Sequence, residues 1–363
     1  MNWYPLRLTT PVKQHVFGGR AIAERLGRTG LPDGPVAETW EVSDVDGDAS
    51  TVADGPLAGQ TLRQLMAGHA EELLGPLPHP GPRFPLLTKF IDGRGRLPVH
   101  LHADDATARE LEGEPNGKTE AWHILDAAPG ATALVGVRPG VDRTTLHRAL
   151  LAQDFDAVMR RLPVRAGETI HVPGGTLHSF GPGTLVYEIE QTSDIQQHAM
   201  RTRMEDGSPV PDAEWHANLE NLLAEWRPEP RPEFHPGLSI GVDDGVRRTI
   251  LCAGPHFALE RWTAGTQAPL RHTYPTARIL TNAGAPVTVT SGPWTGTLDR
   301  ARTLLLPAAL GDLRIEGPAD ILLGYVPDLD GDIRAPLLRA GYAPAAIAAL
   351  GEVPAQPSAA SPS

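Results

Sequence analysis

Two histidines one residue apart, His100 and His102 in LPVHLHADD, are followed by a lysine and a glutamate at the same spacing, Lys118 and Glu120 in GKTEAWHIL. A third histidine, His178, comes after the turn VPGGT. If each apolar run is a strand, alternate side chains share a face. His100 and His102 then project together, about 6.6 Å apart along the strand, and Leu97, Val99 and Leu101 take the other face. Lys118, Glu120 and Trp122 share a face in the same way, with His123 opposite. The two glycines before His178 permit a tight reversal. Three imidazoles and a carboxylate are a nitrogen/oxygen set for one divalent metal ion. An HxH pair alone, among 14 histidines, is ordinarily a pair of surface residues. Glu120 and His178 make the ligand reading the stronger one. A metal in a dry pocket polarises substrate oxygens. A lysine beside it is expected to have a lowered pKa, suited to proton transfer or to holding an oxyanion.

These residues need strands to carry them, and the rest of the chain is built accordingly. It has 38 glycines and 36 prolines in 363 residues, with many short apolar runs. That combination predicts β structure rich in turns, with enough chain for two domains. Strands are predicted in VAETWEVSDV, FPLLTKFID, LPVHLH, KTEAWHIL, ETIHVP and TLVYEIEQ. Helices are predicted near RAIAERLG, in TLRQLMAGHAEELLG, and as a pair, TTLHRALLA and FDAVMRRL, within 141–162. The proline-rich segment 201–236 reads as a linker or surface connection. A second strand series fills 237–327. Residues 328–363 read as a helical appendage over 334–350 and a disordered tail. The catalytic domain is thus expected over 1–200.

The formal charge of −12 argues against nucleic acid or an anionic membrane as a bulk partner. One cysteine, Cys252, excludes an intrachain disulfide and a cysteine-rich zinc site. The N-terminus lacks an apolar leader and no run reaches membrane-spanning length, so a cytoplasmic setting is expected. The basic residues are nearly all arginine; Lys13, Lys89 and Lys118 are the only lysines. Three other patterns do not hold. GEPNGKT has three residues between its glycines where a phosphate loop has four. GLSIG follows a proline-rich stretch and precedes no helix. DVDGD and DLDGD lack the later residues of a calcium loop.

At these residues the chain resembles the class I mannose-6-phosphate isomerases in their short bacterial form, within the cupin superfamily. The resemblance spans roughly residues 3–327. It is carried by PVKQHVFGG, ETWEVS, DGPLAGQTL, FPLLTKFID, VHLHADD, GKTEAW, VPGGTLHSFGPGTLVYEIEQTSD and LLLPAALGDLRIEG, in that order. It implies two cupin-like jelly-roll barrels plus short helices, with metal in the N-terminal one only. It implies His100, His102, Glu120 and His178 as ligands of one divalent ion, zinc first, with manganese, iron or cobalt as alternatives. Lys118 falls on the family's active-site lysine and Lys89 on a lysine near the substrate. The implied reaction interconverts mannose 6-phosphate and fructose 6-phosphate through a cis-enediol, so the implied partner is a small sugar phosphate. Neither a monomer nor a homo-oligomer is specified.

The departures from the family pattern gather around the site. His100 stands where the family has glutamine, and Phe17 where it usually has tryptophan. His198 stands where the family has an arginine; it is the second catalytic candidate. Arg201 and Arg203 are candidate substitutes for that arginine in binding substrate, with Lys89. These changes leave room for another sugar isomerase, a metal-dependent oxygenase or a sugar-binding protein on the same scaffold.

Overall fold

Residues 2–76, 81–242, 245–265 and 269–354 are described in a computed structural model. The chain is mainly β, and it divides into two compact units that are not consecutive in sequence. One unit comprises Thr10–Ala49 and Leu87–Phe234; the other comprises Met1–Thr9, Ser50–Leu86 and His235–Ser363. The expected boundary near residue 200 therefore needs amending. Segments before residue 87 contribute to both units, because Leu6 pairs with Leu305 and the helix Leu62–Leu74 packs against the 3-10 turn Ala308–Leu310. That helix starts on a capping box, Thr61 with Gln64. No described helix is long and apolar enough to cross a membrane.

The first unit holds β1 (Val12–Lys13), β2 (Glu38–Val42), β3 (Leu86–Gly93), β4 (His100–Leu101), β5 (Glu120–Ala127) and β6 (Thr132–Val137). It continues with β7 (Met159–Pro163), β8 (Thr169–Val172), β9 (His178–Phe180), β10 (Thr184–Gln191) and β11 (Gln197–His198). A six-stranded sheet runs β1-β2-β3-β10-β5-β8, and a five-stranded sheet runs β11-β4-β9-β6-β7. The inner faces meet in a cluster that includes Ile91, Leu97, Trp122, Ile124, Val135, Ile170, Phe180 and Val186. Both faces of the large sheet are buried, and its strands bury polar side chains such as Lys89, Glu188 and Glu190 among the apolar ones.

Outside the smaller sheet, Val99 and Leu101 pack against the helices Arg143–Ala152 and Asp212–Glu225. Their alternation with His100 and His102 follows the expected pattern, except that Leu97 joins the inner cluster. The helix Asp212–Glu225 replaces the expected linker. Its apolar stripe, Trp215, Leu219, Leu222 and Leu223, is buried behind the site strands. Trp215 Nε1 also donates to Ala199 O at 3.0 Å. Trp215→Ala should lower the unfolding free energy by about 3–5 kcal/mol, measurable by denaturant titration. The second predicted helix of the pair ends early: Phe155–Val158 is helical, but Met159–Pro163 pairs with β6 as a strand.

The second unit repeats the plan. Its strands are β12 (Leu238–Val242), β13 (Val246–Ala253), β14 (Ala258–Thr263), β15 (Leu270–Thr273), β16 (Arg278–Asn282), β17 (Val287–Ser291), β18 (Trp294–Leu298), β19 (Thr303–Leu306), β20 (Asp312–Glu316) and β21 (Asp320–Tyr325). They form a six-stranded sheet, β12-β13-β14-β21-β16-β19, and a four-stranded one, β15-β20-β17-β18. The predicted appendage is part of this core: Leu337, Ile347 and Leu350 are buried in it. The tail expected to be disordered lies, from residue 355 on, outside the described residues. Among the described residues, no metal-binding cluster of three or more side chains occurs in this unit.

Candidate metal centre and active site

The four predicted ligands converge between the two sheets of the first unit. His100 on β4 pairs with His178 on β9, which puts both rings on the inner face. Glu120 faces them from β5. His178 Nε2 lies 3.0 Å from His100 Nε2 and 3.0 Å from Glu120 Oε1. His102 Nε2 lies 3.1 Å from Glu120 Oε2. The His100 and His102 rings lean together, with centroids 4.7 Å apart.

The other ring nitrogens decide what this cluster can bind. Nδ1 of His100 meets Pro98 O at 2.8 Å, Nδ1 of His102 meets Ile195 O at 2.9 Å, and Nδ1 of His178 meets Thr176 O at 2.7 Å. A carbonyl can only accept, so each Nδ1 carries a proton, and a ring with no second proton presents a bare Nε2. Lone pairs therefore face each other at 3.0 Å between His100 and His178. That contact is repulsive unless a metal ion or a proton lies between the two nitrogens. The tethering of each Nδ1 to an oxygen is also how metal-binding histidines are oriented. Burial drives the His102 pKa down to about 3, helped by the Lys118 ammonium. Burial and the neighbouring imidazoles depress His100 in the same sense. The residues present fit a divalent ion.

Glycines let the backbones close around this centre. A Cβ on Gly117 would sit 2.4 Å from Ala103 O, and one on Gly174 would sit 2.6 Å from Asp104 Cα. Both glycines pack against the residues just after His102. Gly175, at φ +84°, donates to His102 O at 2.6 Å. The predicted reversal before His178 is thus also the clamp on the end of the His100–His102 segment.

A cluster of lysines and carboxylates adjoins the histidines. Lys118 Nζ lies 3.3 Å from Glu120, 3.1 Å from Glu190 and 3.2 Å from His102 Nε2. Lys89 Nζ lies 2.9 Å from Glu190, 3.4 Å from Glu188 and 3.9 Å from Glu38. The expected lowering of the Lys118 pKa supposes a metal ion beside it; the protein groups alone act the other way. Burial does oppose its charge, but Glu190 and Glu120 outweigh burial and hold the ammonium above its ordinary range. Burial and the carboxylates of Glu190 and Glu120 raise the Glu188 carboxyl well above its ordinary range. Sequence reasoning missed Glu188 and Glu190. Their signal was two carboxylates at alternate positions of TLVYEIEQ, an otherwise apolar strand between two others.

Beside these groups lies a cavity of about 340 Å³. Lys13, Phe17, Lys89, His100, Lys118, Glu120, Trp122, Glu188 and His198 are in its wall. Trp122 contributes both core and wall: its ring lies edge-on to His178 and its Nε1 donates to Glu188 Oε1 at 3.0 Å. His123 takes the opposite face of β5, with its Nδ1 2.9 Å from Thr169 Oγ1. His198 pairs with His100 across β11 and β4, its ring stacked at 5.7 Å. Burial brings the His198 pKa down to about 4. Arg201 and Arg203 are elsewhere, so neither takes the expected place against substrate. After β11 the chain turns outward, where Arg201 pairs with Asp212 and covers the Trp215 ring, and Arg203 pairs with Glu214.

Behind β11, Gln197 Nε2 donates to both Glu225 and Glu112 at 2.9 Å. Burial and the neighbouring Glu112 carboxyl push the Glu225 pKa from 4.5 up to about 8. Between those two values the unfolded chain ionises this group and the folded chain does not. Its contribution is full below about pH 4.5 and is lost as pH rises towards 8. Glu225→Gln should therefore flatten the fall in Tm across that window, as read by thermal melts at several pH values.

Comparison with known proteins points to one family. The model of the phosphomannose isomerase type I catalytic domain matches residues 6–121. A Bacillus subtilis (strain 168) protein named "Probable mannose-6-phosphate isomerase GmuF" is 36% identical over 325 residues, covering 89% of this chain and 99% of that protein. The chain belongs to the type I phosphomannose isomerase family. A Streptococcus mutans mannose-6-phosphate isomerase is 28% identical over 88% of this chain and 98% of its own. The crystal structure of the Bacillus subtilis mannose 6-phosphate isomerase superposes with a TM-score of 0.79 at 26% identity, over 89% of this chain and all of that one. The phosphomannose isomerase fold therefore spans both units, as the paired six-stranded sheets imply.

Proposed function

We propose that this chain is a cytoplasmic, metal-dependent aldose–ketose isomerase that interconverts mannose 6-phosphate and fructose 6-phosphate. The observation that carries the reading is the set of three bare Nε2 atoms around Glu120, beside a charged lysine in a cavity. His100, His102, Glu120 and His178 would hold the ion, with zinc the first assignment for neutral imidazoles and one carboxylate. When bound, the ion supplies Lewis-acid polarisation of the sugar oxygens.

The chain's own groups do the remainder. The Lys118 ammonium donates hydrogen bonds to the oxygen on which negative charge develops. Glu190, fully buried, holds Lys118 and Lys89 at fixed positions in the cavity wall. Glu188 is the carboxyl best suited to take the C2 proton and return it to C1. It lines the cavity, and burial with the neighbouring carboxylates raises its pKa, which makes its ionised form a stronger base than a free carboxylate. Trp122, Phe17 and Phe180 exclude water from one side.

The test is turnover of mannose 6-phosphate by chelator-treated protein reloaded in parallel with zinc, manganese, cobalt and iron. Activity restored by at least one ion is expected. Folded, metal-loaded protein that is inert with every ion would overturn the reading.

A further inference from the structure

Lys118 lies just outside the ladder that fixes its neighbour. Strand β5 begins at Glu120, which pairs with Glu190 on one side and Val172 on the other. Residues 117–119 belong to no strand, so the Lys118 backbone needs other restraints. Its own N–H donates to Ala103 O at 3.0 Å. Gln191, the last residue of β10, supplies much of the remainder.

Gln191 holds Thr119 at both backbone groups. Its N–H donates to Thr119 O at 3.1 Å, and its side-chain Oε1 accepts from Thr119 N at 2.9 Å. A hydrogen-bonded antiparallel pair exchanges two backbone bonds; here the side-chain carbonyl takes the place of the second backbone one. The other end of the amide, Nε2, donates to Asp105 Oδ1 at 2.9 Å, and the same oxygen accepts from Gly117 N at 2.9 Å. A backbone N–H needs an oxygen and a carboxylate needs N–H, so the orientation of the amide is fixed. The residues on both sides of Lys118 are thus tied to one linked pair, Gln191 and Asp105. Gln191 and Thr119 are buried, so breaking the link leaves polar groups without partners.

We propose that Gln191, with Asp105, is the positioning residue that sets where the Lys118 ammonium stands, an inference that rests on the isomerase reading. Gln191 is not in the cavity wall and acts only through the lysine. The metal ligands have anchors of their own: Glu120 in the β5 ladder, and each histidine through its Nδ1 and a carbonyl. Losing the amide should therefore displace the lysine and leave the ion in place.

The test is Gln191→Met, which keeps a side chain of similar length without the hydrogen bonds. On metal-loaded protein, kcat for mannose 6-phosphate is expected to fall about 10- to 100-fold, the scale of a small misplacement of a catalytic group, with metal stoichiometry unchanged. Asp105→Ala should act in the same way from the other end of the link. Asp105→Asn keeps Oδ1 as an acceptor and should stay within about threefold of wild type. In the Lys118→Met background, adding Gln191→Met should cost less than about threefold more, because the two act as a unit. Full additivity in that double variant overturns the proposal, as does wild-type kcat in both Gln191→Met and Asp105→Ala. Loss of metal alongside kcat also overturns it, since the amide would then support the ion and not the lysine. If Gln191→Met does not fold, the contrast between Asp105→Ala and Asp105→Asn decides. If the wild type is inert with every ion, the isomerase reading fails separately, and hydrogen exchange at the Thr119 amide still tests the positioning. Its protection should fall by about tenfold or more in Gln191→Met and Asp105→Ala and persist in Asp105→Asn; unchanged protection in the first two overturns the proposal.

Discussion

Glu120→Ala should empty the metal site and abolish turnover together. Glu120 is the one carboxylate that touches both His102 and His178, and it also pairs with Lys118. Its loss removes an anionic ligand and leaves three imidazole lone pairs without the negative charge that helps attract a cation. Outer partners of metal ligands alone are worth about 10- to 100-fold in metal affinity, so loss of a ligand should exceed that. Elemental analysis after dialysis should fall from about one ion per chain to near zero, while circular dichroism still shows the β-rich fold. Glu120→Gln, which keeps the volume, should follow the same direction less steeply. Unchanged metal stoichiometry in both variants would remove Glu120 from the ligand set, and with it the site as drawn.

Lys118→Met should give the complementary result: metal retained, turnover lost. The ammonium touches Glu120, Glu190 and His102 but sits at the cavity wall, where charge develops on the substrate. A positioned donor or proton-transfer group contributes about 10²- to 10⁴-fold in rate, and kcat should fall by that factor. The variant also takes from the buried Glu190 one of its two lysine partners, leaving Lys89 at 2.9 Å, which lowers Tm. The double variant Lys118→Met/Glu190→Gln removes the excess negative charge left among Glu120, Glu188 and Glu190. It should recover Tm but not kcat, which separates a catalytic loss from a structural one. Retention of wild-type kcat in a metal-loaded Lys118→Met protein would take the lysine out of the mechanism.

Much of the centre was legible before any coordinates. The HxH spacing, the alternation in KTEAWHIL and the paired glycines before His178 are local features, and local geometry carried them into place. What the sequence hid was non-local. Nothing near His102 announces that its Nδ1 will meet Ile195 O, or that Glu190 will meet Lys89 and Lys118 from the middle of the large sheet. The same holds for Lys118: the upward pull on its pKa from the protein's own groups comes first from Glu190, 72 residues away in the chain. The helix Asp212–Glu225 was overlooked because RPEPRPEFHPG follows it closely and coloured the whole segment as linker, although Trp215, Leu219 and Leu222 already had helical spacing. The division into units was missed because Leu6 reaches Leu305 through a single bridge that no pattern in LRLTT specifies.

The placement of the lysines has a practical consequence. All three in the chain lie in the wall of one cavity, so the outer surface of the protein presents arginines as its cations and offers almost no primary amine. Amine-directed chemistry, whether a fluorophore ester, a crosslinker or a coupling resin, has only the chain's α-amino group and the half-buried Lys13 as ready targets. Labelling at Lys13 would then report on the cavity mouth rather than on the protein at large, which makes a surface-blind reagent into an active-site probe.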